Sequence, residues 1–472
     1  MPEGTMPEAS HRSVSRIDPA EAWQPWRPAD RQPWSLKWAG HLYRRAGFGA
    51  TWDELQEAVA RGPDATLEGL LSGGPGLEQF DEEVDAVTKG LPLVLRGTTL
   101  HEYQGVWLYR MMNTPHPLRE RMTLFWHNHF ATSVAKVRQP GLMQRQNNLL
   151  RRHALGDFRA LLLEVSRDPA MLIWLDSNSN VRGHANENFA RELMELFALG
   201  IGNYTEKDVQ AAARAFTGWH TAGGKFIDNR RQHDPGVKTV LGHTGPLDGQ
   251  DVIAILLEQP AAARFLVGKL YRHFIAEDAP PSAQLLEPLA DQFRKSGYDI
   301  AGVVGTMLRS RLFFSEHAYR RRIKSPVEFV VGLARTLGGK AAPGELANLL
   351  DGLGQDLYSP PNVKGWDGGK AWLNSATMLA RQNASWALVG GEDLRFRDKI
   401  KLAELARRKA GSEAAKQVGF VVNLFLQGDV TPAVSGKLLS TLIGNKGQKS
   451  DPSRRIVEAA HTVLLMPEYQ LA

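Results

Sequence analysis

Apolar residues recur every three or four positions along most of this chain, as in residues 262–270 and 300–308. That interval lays one apolar stripe along a helix. Helix-start signals punctuate the stripes. Thr51 with Glu54, Thr205 with Asp208, and Ser325 with Pro326 and Glu328 each set a hydroxyl before the first turn and a carboxylate three residues later. The pair satisfies two backbone amides that a helix start leaves open. No self-similarity at a period of roughly 20–50 residues marks a repeat array. The pattern predicts a mostly α protein with a multi-helical globular body.

Four stretches depart from it. Residues 1–35 hold six of the 26 prolines and little periodicity, so this arm reads as irregular. It nevertheless carries Trp23, Trp26 and Trp34, with Trp38 just beyond, and so much aromatic area favours packing onto the body. Residues 223–245 contain two extended pieces, 225–228 and 238–241, around a polar turn, which predicts one β-hairpin inserted between helices. Residues 357–375 combine two prolines, three glycines and two tryptophans in a long ordered loop. From residue 391 the composition turns charged and helical, which predicts a C-terminal helical subdomain over 391–472 beside a main helical domain over 36–390.

Length and charge refine this picture. A chain of 472 residues exceeds the usual size of one core, in keeping with a main domain and an appendage. The net charge of +6 is scattered in short basic knots among apolar and acidic residues, which argues against a nucleic-acid surface. The absence of cysteine excludes disulfides, thiolate metal sites and a cysteine nucleophile. No apolar run reaches the roughly 18 residues of a membrane span, and the first residues lack the apolar stretch of a signal peptide. A cytoplasmic protein is the expectation.

The candidate chemistry lies in four polar segments. In "LFWHNHFATS" (124–133), His127 and His129 are two apart, and on a helix such positions point about 200° from each other. At most one therefore faces a given cleft, and the other anchors the helix. The contiguous spelling is not a nuclease signature, because there the three residues are spread along a ββα unit. In residues 186–200, Glu187, Asn188, Arg191, Glu192 and Glu195 share one helical arc opposite Phe189, Leu193 and Phe197. This arc is either a solvated face or the wall of a cleft, and the polar segment before it suits bound anions. His233–Asp234 is either a turn or a pair able to orient an imidazole and bind a hard cation. Arg320, Arg321, Arg322 and Lys324, with Lys364 and Lys370, either hold a phosphate, sulfate or carboxylate or simply face water. The chain has no nucleophile elbow, phosphate-binding loop, HExxH or dinucleotide fingerprint.

The blocks "HLYRRAGFGAT" (41–51), "RERMTLFWHNHFATS" (119–133), 186–219, "HDPGVKTVLG" (233–242) and 358–381, in this order, resemble the bacterial family catalogued as domain of unknown function 1800. The similarity covers most of the chain, about 36 to 472. The family has no assigned reaction. Many relatives look exported and are encoded beside alkaline-phosphatase/sulfatase-like proteins, and the missing signal segment departs from that pattern. The family's stereotyped blocks coincide with His127/His129, 186–195, His233–Asp234 and 362–366, which implies that these segments meet in one cleft.

The resulting expectation is an enzyme of undefined reaction: hydrolysis or transfer on a polar substrate, metal-assisted in one form. His127, Glu192, Arg191 and His233 are its catalytic candidates. His129 and Asp234 are candidate ligands of a divalent metal. Asn188, Lys364, Trp366 and Arg322 are the substrate-binding candidates. The alternative is a non-catalytic helical binding or maturation partner of the co-encoded phosphatase/sulfatase-like protein, with the tryptophan-rich arm and loop as its contact surface.

Overall fold

The computed structural model describes residues 18–29, 32–94, 99–278, 280–390, 393, 395–396, 401–443 and 451–472. Helices dominate it, as the apolar spacing predicts, and the described residues contain four short strands. The three helix-start boxes form as read. Thr51 and Glu54 exchange bonds at 3.2 and 2.7 Å, Thr205 and Asp208 at 3.3 and 2.8 Å, and Ser325 and Glu328 at 3.2 and 2.6 Å. No helix among the described residues is long and apolar enough to cross a membrane.

Two apolar cores organise the molecule. One gathers Leu118, Met122, Trp126, Phe158, Phe197, Leu266 and Phe293. The other gathers Trp107, Leu124, Phe329, Leu346, Val421 and Leu464. The Pro117–His129 helix runs between them. Leu118, Met122 and Trp126 recur at four-residue steps toward the first core, and Leu124 faces the second. Full burial of side chains this size stabilises by roughly 1.5–3 kcal/mol each. The C-terminal helices Leu402–Ala410, Ala414–Leu426 and Pro452–Leu465 pack on one another. Their apolar faces also close onto the second core, with Tyr469 against both Phe329 and Phe425.

The arm packs as its tryptophans predict. Trp23, Trp26 and Trp38 are buried, Trp26 stacks on Phe314 at 4.5 Å, and the Trp23 indole donates to Leu285 O at 2.7 Å. These rings pack against the body.

The inserted β-structure differs from the expectation. The two extended pieces do not pair with each other. β1 (Trp219–Ala222) pairs with β2 (Lys225–Asp228), and β3 (Lys238–Val240) pairs with β4 (His243–Gly245), giving two separate antiparallel hairpins. The reason is local turn chemistry. Gly223 and Gly224 take φ of 56° and 67°, and Leu241 and Gly242 take 47° and 86°, so each pair closes a tight two-residue turn. Asp208 Oδ1 accepts from the Leu241 amide at 2.7 Å and so supports the one non-glycine in this strained region.

Candidate functional site

The two histidines of the Pro117–His129 helix point into different cores. His127 sits against Trp107, Tyr358 and Trp366, and its Nε2 accepts from the Tyr358 amide at 3.2 Å. Burial lowers its pKa to about 4, so it is a neutral anchor for the 357–375 loop. His129 lies among Phe130, Phe158 and Phe197 and borders an open cleft. Between them, Asn128 Oδ1 accepts from the Trp366 amide at 2.7 Å and clips the same loop. Gly365 passes over this clip with φ 81°, where a β-carbon would overlap Asn128 Oδ1.

The helix expected from Asn186 onward starts as expected and then changes type. Asn186 Oδ1 accepts from the Asn188 amide at 3.0 Å, and Arg191 pairs with Glu187 at 2.8 Å. After the α-helical turn Asn188–Glu192, residues Leu193–Ala198 form a π-helix. Although four residues apart on the shared arc, Arg191 and Glu195 do not pair with each other. Arg191 pairs with Glu206 at 2.9 Å, and Glu195 accepts from the Tyr204 hydroxyl at 3.0 Å. At the end of the π-helix two carbonyls are taken by side chains: Phe197 O by His129 Nε2 and Leu196 O by Lys269 Nζ, both at 3.0 Å.

These bonds fix the state of His129. A carbonyl only accepts, so Nε2 carries the ring proton and Nδ1 keeps its lone pair. Lys269 Nζ donates to that lone pair at 3.0 Å, so both ring nitrogens are engaged. Burial first, then the Lys269 charge, hold the imidazole well below its ordinary pKa. Lys269 has no carboxylate partner among the described residues, and burial together with Arg272 pushes it down to about 8. It lies on the Pro260–Phe274 helix, where Lys269, Arg272 and His273 share one face at three- and four-residue spacing.

All three line a cleft of about 520 Å³. Arg322 and the 364–370 loop complete its wall, including Lys364, Trp366 and Lys370. Five basic side chains, Lys269, Arg272, Arg322, Lys364 and Lys370, face two carboxylates, Glu277 and Asp367. Beneath the wall, Glu328 holds both Arg121 and Arg322, the latter at 2.9 Å. The carboxylate that caps the Pro326–Thr336 helix is thus also a buried counterion. Arg121 Nε donates to His273 Nε2 at 3.0 Å. That nitrogen must therefore be the acceptor, and the ring proton sits on Nδ1. In a second open cleft, of about 480 Å³ beside Lys340, Lys401 and Arg408, the charged lining residues are all exposed.

The sequence-predicted residues divide around the main cleft. His129, Lys364, Trp366 and Arg322 line it. Glu192 lies within the field of Lys364. Its half-buried carboxyl is raised by burial and by Glu195, while Lys364 and Arg191 pull it back down. Asn188 donates to Leu175 O at 3.3 Å, at the helix start. His233 and Asp234 are occupied elsewhere. His233 Nδ1 meets Thr217 O at 3.1 Å, and Asp234 accepts from Arg214 at 2.7 Å and from the Gly236 amide at 2.8 Å. The Arg214 guanidinium holds the Asp234 carboxyl down at about 2. Of the two readings of this segment, its bonds are those of a turn clamping a hairpin. Among the described residues no group of three or more His, Asp or Glu is placed to hold a metal ion.

Sequence reasoning missed Lys269, Arg272, His273 and Glu277. The available signal was the run "KLYRH", which puts three basic groups on one face of an otherwise apolar helix.

No curated protein and no solved structure matches the chain. A family model described as protein of unknown function (DUF1800) matches residues 41–471, and the chain belongs to that family.

Proposed function

We propose that this protein is an enzyme acting on a small polar substrate in the cationic cleft, by hydrolysis or group transfer, with Lys269 as the proton-accepting or bond-forming group and His129 positioning it. The carrying observation is the setting of the Lys269 amine. A neutral amine has two N–H bonds and one lone pair. Here the two N–H bonds match the two acceptors present, Leu196 O and His129 Nδ1. The lone pair is then the unengaged position, on a side chain that lines the cleft. A protonated amine would bring a third N–H and a buried charge with no carboxylate beside it, which burial disfavours. An amine titrating near neutrality is suited to acid–base or nucleophilic work. Lys364 in the cleft wall supplies an anion contact, and Glu192, within its field, a second proton-exchanging group. A metal-assisted version of the reaction would take its ligands from residues other than His129, whose nitrogens are both engaged.

Competitive acetylation across pH, read peptide by peptide in a mass spectrometer, tests whether the amine is available in its neutral form near physiological pH, as the proposal requires. Lys269 is expected to titrate near pH 8, ahead of the bulk lysines at about 10.4. A Lys269 that titrates with the bulk overturns the proposal. In a substrate screen, Lys269→Met is expected to abolish any turnover that the wild-type chain shows, while remaining folded.

A further inference from the structure

We propose that the cleft seats a tetrahedral oxyanion, a phosphate or sulfate group, against Arg322, His273 and Arg272, about one helical turn from Lys269. This rests on the enzyme reading above and names the substrate class for that site.

Charge carries the first part of the argument. Arg45, Arg121 and Arg322 are buried and lie within one another's electrostatic reach, and the carboxylates that face them are Glu328 and Glu277. Buried Arg381 and Lys324 draw on Glu328 as well, so basic side chains outnumber the carboxylates in this part of the interior. A buried charge without its own carboxylate is costly unless a counterion approaches it. His273 does not add to the excess, because burial and these arginines keep its ring neutral.

Unused donors carry the second part. Arg322 Nε is buried and has no hydrogen-bond partner. Arg322 is 8 % exposed and lines the cleft. Its Nε has only Glu277 nearby, at 3.8 Å, too far for a hydrogen bond, and Glu277 is itself occupied by the Ile323 amide at 2.6 Å. His273 offers the Nδ1 proton that its bond with Arg121 leaves there. Water can satisfy donors, but it cannot balance the charge.

Shape carries the third part. The donors come from the Pro260–Phe274 helix, the residue 322 segment and the 364–370 loop. Donors from three elements surround more oxygen positions than a planar carboxylate presents. Asp367 is the one exposed carboxylate at the rim that opposes an anion, and Lys364, Lys370 and Arg272 outnumber it.

The test is isothermal titration of the whole chain with inorganic phosphate and with sulfate, at constant ionic strength set by sodium chloride. Saturable one-to-one binding of both ions is expected. Arg272→Ala and His273→Phe are expected to weaken it at least about tenfold, the loss of one charge-assisted contact. Lys340→Ala, in the other cleft, is expected to leave it unchanged. Arg272 is exposed, so its variant reads the site even if His273→Phe folds poorly. Phenyl phosphate and phenyl sulfate separate the two sources of the anion: an ester that binds more tightly than its inorganic ion marks an esterified substrate, and equal binding marks the free ion. Heat that shows no saturation, or an equal loss in Lys340→Ala, overturns the proposal. Lys269→Met is expected to retain anion binding within about threefold. An anion that binds a chain whose Lys269 titrates with the bulk lysines would sink the enzyme reading and leave this one standing.

Discussion

Burying a neutral imidazole costs little and burying an imidazolium costs much, and at the residue scale His127 shows the consequence. Its folded pKa of about 4 lies below the ordinary 6.5. Between those values the unfolded chain binds a proton that the folded chain refuses. The stability it contributes is therefore complete above about pH 6.5 and is lost as pH falls toward 4, by roughly 3 kcal/mol from this site. His41, His129 and His273 are shifted the same way and add to the loss. Urea unfolding between pH 7 and 4.5 is expected to show a steep fall. In His127→Gln, whose amide oxygen can still accept from the Tyr358 amide, the slope should shrink by about one proton, and coincident slopes would contradict the assignment. Helix geometry made the opposed directions of His127 and His129 legible from their spacing. Lys269 was not legible, because an amphipathic helix carries many lysines and only tertiary burial singles one out.

At the scale of elements, the sequence specified what depends on neighbours in the chain. Hydroxyl and carboxylate three apart produced the three helix starts read from them, and both extended pieces became strands. Their pairing was misread because two short turns at Gly223–Gly224 and Leu241–Gly242 satisfy each strand locally, before the longer polar segment can act as a turn. The π-helix had no sequence signal, since its wider turn is a choice among backbone acceptors that His129 and Lys269 settle from other elements. The 362–372 loop depends on one such long-range clip. Gly365→Ala would incur about 1–2 kcal/mol of left-handed strain and displace Asn128 from the Trp366 amide. Trypsin cleavage after Lys364 and Lys370 should then quicken about tenfold with little change in global unfolding. An unchanged cleavage rate would mean that the clip does not hold the loop.

At the scale of the molecule, the cleft exists because separate segments meet around one helix that divides two cores. Apolar stripes predicted that helices pack, but they do not say which faces meet. Of four polar segments expected to converge, the 124–133 and 362–366 segments line the cleft, the 186–195 segment is linked to it only through the field between Glu192 and Lys364, and His233–Asp234 clamps a hairpin. The arm raises the same question of where a face is used. Its tryptophans were candidates for a partner surface as well as for the core, and Trp26 lies 7 % exposed among Trp34, Trp38 and Phe314. Ring burial of this kind belongs to the stability of the isolated chain. Trp26→Ala is therefore expected to destabilise it by about 3–5 kcal/mol in urea unfolding, with part of the effect from the cavity left beside Phe314. A ring kept for a partner would instead leave the isolated chain's unfolding unchanged and weaken only a complex, so the same measurement decides which use the fold makes of it.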